Sequence, residues 1–243
     1  MPASREEVIE FLRRRSALIV HFASVPPLVG PGPGYPQSLL ISVCDRSRQL
    51  SCSVVQPGDS FGVYADTKNG TGTIGLIIRP RVDASVIAVA PKDAGSVAQT
   101  DGTRVFTPHE ITTVTMEDSM ERRGEADGPG AAYNEWGLGD YDVVGLFVSD
   151  PAENDVQLAG QSVPSTETIE DTINHFSELG LRIFTFAGGS ICELASTALL
   201  PVEHEELYAW VSCPRPARDR RLVVRPDCAT PGRFVENRCI HNP

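Results

Sequence analysis

The chain of 243 residues contains no apolar run near the roughly 20 residues of a membrane-spanning helix. Its first twenty residues place three arginines at positions 13 to 15, ahead of a short apolar stretch. They lack the longer apolar core and small-residue cleavage site of a secretory signal. The expected location is therefore cytoplasmic, or outside the cell by export without a classical signal peptide. None of the six cysteines falls in a C-x-x-C pair, so neither a disulfide scaffold nor a standard zinc pattern is implied. Cys213, Cys228, Cys239 and His241 are zinc-compatible in type but not in spacing, and no metal site is assigned. Gly70, Gly72 and Gly75 match neither the P-loop nor the dinucleotide-fold fingerprint, which excludes the usual nucleotide-binding signatures. No internal repeat is visible. Positive charge is in deficit: the net charge of −11 argues against broad adhesion to nucleic acid or an anionic membrane.

A hydrophobic content of 41% and a charged content of 22% are ordinary for a folded globular protein. Twenty-one glycines and 19 prolines imply many turns and a β-containing fold. Residues 4–15 read as a helix, with Ser4 and Glu7 forming a capping box and Val8, Phe11 and Leu12 at helical spacing. Short apolar runs predict strands over 17–23, 51–55, 73–78, 85–90 and 142–148. Weaker strand candidates are 103–106 and 110–115, and 117–130 reads as a loop or short exposed helix. The proline-rich stretch 26–36 reads as a surface loop. A second helix begins after Ser165, with Ile169, Ile173, Phe176 and Leu179 on one face and Gly180 as its stop. A strand over 181–186, a glycine turn and a further helix over 191–200 are expected beyond it.

The expected class is α+β: a β-rich two-sheet core with peripheral helices over residues 1–150, and a C-terminal α/β extension over 151–243 packed on it.

Three positions stand out for chemistry. His21 lies within the first strand, Tyr64 lies in the stretch FGVYAD, and Glu135 lies just before the strand VVGLFV, flanked by Tyr133, Asn134 and Trp136. A carboxylate at the mouth of a buried strand suits a catalytic acid, and equally a solvated strand end. Glu203, Glu205 and Glu206 around His204 read more simply as an exposed helical turn.

At these residues the chain resembles the ADP-ribosyltransferase fold. Leu18 to Ser24 looks like that family's strand carrying a His followed by a small hydroxyl residue. Gly62 to Lys68 is similar to the glycine, tyrosine and lysine pattern of its polymerase-like branch. Tyr133-Asn134-Glu135-Trp136 lies where the fold carries its catalytic Glu. The resemblance covers about residues 17–150. It implies NAD as substrate, bound in a cleft between two small sheets, with ADP-ribose passed to a protein, nucleic-acid or small-molecule acceptor in the manner of a toxin or effector. His21 would hydrogen-bond the dinucleotide, Tyr64 would stack on the nicotinamide, and Ser24 and Asn134 would help to position it. Glu135 would hold a ribose hydroxyl and stabilise the developing oxocarbenium charge. Tyr133 stands where the arginine-modifying branch carries Glu or Gln, so arginine is not implied as the acceptor.

Two other classes fit the same residues. An interaction, adaptor or immunity protein would use the acidic balance against a basic partner, with His21 and Tyr64 packed in the core and Glu135 structural. A hydrolase would use Ser190 in AGGSICE, although the G-x-S-x-G spacing is absent.

Overall fold

The computed structural model describes residues 3–22, 43, 49–58, 74–92, 104–121, 134–149, 166–178, 181–187, 190–195, 198–201, 224–226 and 234–236. These form a mixed α+β fold of one large sheet and three helices.

Helix α1 (Arg5–Arg14) starts where the capping box places it. The Glu7 amide donates to Ser4 Oγ at 3.2 Å, and the Ser4 amide donates to Glu7 Oε2 at 2.7 Å. It ends in a Schellman turn: the amides of Ser16 and Ala17 donate back to the carbonyls of Arg13 and Leu12. Ser16 takes the left-handed position, at φ 49°, that glycine usually occupies there. Val8, Phe11 and Leu12 bury the inner face of α1.

Strands β1 (Leu18–Phe22), β2 (Leu50–Val55), β3 (Ile74–Pro80) and β4 (Val86–Ala90) follow the expected apolar runs within two residues at each end. Next comes helix α2 (Thr113–Glu121). The Thr-Thr-Val-Thr run, strand-like by propensity, is helical instead. The Thr112 carbonyl accepts from the Met116 amide, its hydroxyl accepts from the Thr115 amide, and Ile111, Met116 and Met120 are buried. Packing of these apolar side chains overrides the β-branched preference. Among the described residues of the candidate strand 103–106, which are 104–106, Phe106 forms a bridge, to Val89.

Glu135 opens a strand of its own, β5 (Glu135–Leu138), rather than leading into β6 (Tyr141–Ser149). Helix α3 (Thr166–Glu178) follows, and then β7 (Arg182–Ala187), parallel to β6. Residues 190–201 form two strands where a helix is expected, β8 (Ser190–Ala195) and β9 (Ala198–Pro201). Pairing of β8 with β7 fixes this conformation, and the Arg182 guanidinium meets the Glu193 carboxylate across the pair. Short strands β10 (Val224–Pro226) and β11 (Phe234–Glu236) pair with each other, and β10 touches β6 at Val143.

The strand order is β4-β5-β2-β1-β3-β6-β7-β8-β9. In that order β2 stands between β1 and β5: its residues 53–55 pair with β1 and its residues 50–52 with β5. Strands β7 to β9 lengthen that same sheet beyond β6.

On one face, Phe22, Gly75 and Phe147 are aligned across β1, β3 and β6. The two rings meet edge to face over the glycine, with centroids 6.0 Å apart. A Cβ at Gly75 would lie 2.9 Å from the His21 carbonyl oxygen and 2.5 Å from a Val20 methyl.

Candidate functional site

Glu135 and His21 are the two ionisable residues, among those singled out in the sequence, that the structure describes on this sheet. His21 lies on β1 and Glu135 on β5, which stand on either side of β2 in the strand order. His21 is level with Leu76, and the adjacent Val20 with Ser53. Cys52, next to Ser53, is level with Trp136 in the β2–β5 pairing, which begins where the β2–β1 pairing ends. Glu135, one residue from Trp136, projects from the face opposite to it, level with Ala90. Of the expected site residues, His21, Asn134 and Glu135 are among those described. Tyr64 and Ser24 lie outside the described residues.

His21 is half-buried near the end of β1, and its Nδ1 lies 2.7 Å from the Ser51 carbonyl oxygen. That contact requires the proton on Nδ1 and fixes the ring's orientation. Burial holds the imidazole below its ordinary pKa, and the bond to the Ser51 carbonyl opposes the shift. A neutral, oriented histidine is thus the favoured form at neutral pH.

Asn134 is fully buried beneath α2. Its Oδ1 accepts from the Val54 amide at 2.7 Å, and its Nδ2 lies 3.1 Å from the Met120 sulfur. Trp136, two residues on and on the same side, donates from Nε1 to Ser119 Oγ at 3.0 Å. Ser119 Oγ donates in turn to the Met116 carbonyl, and the indole packs against Phe11 with centroids 5.9 Å apart. Asn134 and Trp136 thus clamp α2 and α1 onto the sheet, whereas Glu135 between them is half-exposed on the reverse side.

Cys52 is buried, and its thiol is pushed well above the ordinary value, first by burial and then by the Glu135 carboxylate. It therefore stays protonated and is a poor nucleophile. Ser190 is exposed as the first residue of strand β8, level with Ala187 of β7. A nucleophile elbow requires a strand leading into a helix, so the hydrolase expectation lacks its geometry. Among the described residues, no group of three or more His, Cys, Asp or Glu side chains is arranged to hold a metal ion. Cys213, Cys228, Cys239, His241 and the 203–206 cluster lie outside them. No described helix is long and apolar enough to cross a membrane.

A polar cluster unforeseen in the sequence lies where α1 meets the paired ends of β3 and β6. Arg79 Nη2 is 2.9 Å from Asp142 Oδ2, and both residues are buried. Arg81 pairs with Asp140 at 2.8 Å and reaches Asp142 at 3.6 Å. Buried Arg5 donates from Nε to the Pro80 carbonyl at 3.0 Å, and its amide donates to Asp83 at 2.8 Å. Burial lowers the Arg5 pKa, and the neighbouring Arg79 charge adds to that shift. The sequence signal was the alternation of charges in Arg79-Pro80-Arg81-Val82-Asp83 and Asp140-Tyr141-Asp142, which only the β3–β6 pairing brings together. Its geometry anchors the start of α1.

A scan against protein-family models finds none that matches the chain. A search of curated proteins likewise finds no match.

Proposed function

We propose that this chain is a non-enzymatic interaction protein whose acidic charge serves to meet a basic partner. The observation that carries the reading is the acidic balance of the chain, a net charge of −11. The buried, protonated Cys52 and the inward-facing amide of Asn134 support it. The net charge of −11 favours electrostatic attraction to a basic surface, an effect expressed mainly in association rate and choice of partner.

A second reading is an NAD-dependent ADP-ribosyltransferase with Glu135 as its catalytic acid, His21, Ser24, Tyr64 and Asn134 about the dinucleotide, and an unidentified acceptor. The half-exposed carboxylate at the first residue of β5 favours it.

One experiment separates the two. The protein and its Glu135→Gln variant are incubated with labelled NAD, with and without cell lysate, and nicotinamide release and label transfer are measured. The interaction reading expects neither signal from either protein. Release by the wild type that falls sharply in Glu135→Gln, with NAD affinity retained, overturns it in favour of the transferase. The charge component is tested with polylysine as the probe. Association should slow as salt rises, because the Debye length shrinks from about 10 Å at 0.1 M to about 3 Å at 1 M. Salt-independent association refutes electrostatic steering.

A further inference from the structure

We draw no further inference here: the strongest candidate, the part-buried cluster of Arg5, Arg79, Arg81, Asp140 and Asp142 where α1 meets the paired ends of β3 and β6, belongs to the contacts that hold α1 against the sheet, and nothing else among the described residues points to a ligand there.

Discussion

Replacing Ser119 with alanine tests whether the contact between α2 and β5 is held by a specific hydrogen bond. Ser119 and Trp136 are both fully buried, and the indole N–H donates to the hydroxyl at 3.0 Å. Removing the acceptor leaves a buried donor unsatisfied, at a cost of about 1–3 kcal/mol. Alanine's better helix propensity returns up to roughly 0.5 kcal/mol. The net loss should therefore be about 1–2 kcal/mol. With a urea m-value of about 2 kcal/mol/M, the unfolding midpoint should fall by roughly 0.5–1 M. Trp136→Phe removes the donor itself, along with part of the packing on Phe11, and should cost about 2–3 kcal/mol on its own. In that background Ser119→Ala should become nearly neutral, because no indole N–H remains to be orphaned. The double-mutant cycle should thus show a coupling of about 1–2 kcal/mol. Urea titrations of the four proteins, followed by far-UV circular dichroism, provide the measurement. Equal costs for Ser119→Ala with tryptophan or phenylalanine at 136 would refute the reasoning.

Three further outcomes follow from the geometry. Ser16→Gly should stabilise the fold by about 1 kcal/mol, since Ser16 holds a left-handed conformation that glycine adopts without strain; an unchanged or lowered melting temperature contradicts this. Gly75→Ala should destabilise by about 1–3 kcal/mol, because the new methyl meets the His21 carbonyl and the floor beneath the Phe22–Phe147 pair; chemical denaturation measures it, and a neutral result removes the close approach. His21 has a folded pKa below its unfolded value, so the unfolded chain binds its proton first as pH falls. Its stabilising contribution is complete above the ordinary histidine value and is lost as pH drops through that value toward the lowered one. Stability measured across that window should fall less steeply in His21→Asn than in the wild type; identical slopes exclude His21 as the source.

Local signals located much of this sheet. The capping box at Ser4 and Glu7 is self-contained within four residues, and the compact apolar runs of β1 to β4 and β6 identify themselves by composition. Two stretches misled for opposite reasons. The threonines at the start of α2 favour a strand until Met116 and Met120 find a core beneath them. The run 191–200 favours a helix until β7 offers β8 a pairing edge. The candidate site was legible as positions but not as directions. How Glu135 sits relative to His21 depends on the register of β5 against β2 and of β2 against β1, and a one-residue slip in either would turn side chains to the opposite face. No window around residue 135 contains that information.

The strand order also imposes a schedule on synthesis. Strand β2 stands inside the sheet, yet one of its two edges is closed by β5, and the bond from Val54 to Asn134 spans 80 residues. A nascent chain that has released β1 to β3 therefore exposes the backbone donors and acceptors of Leu50, Ser51 and Cys52 until residues 135–138 emerge. During that interval the open edge can template pairing with another chain. Closure is a non-local event that forfeits loop entropy before it gains packing, which makes it a slow step. The β5 segment thus acts late in folding, as the strand that ends the period when β2 is open to misassociation.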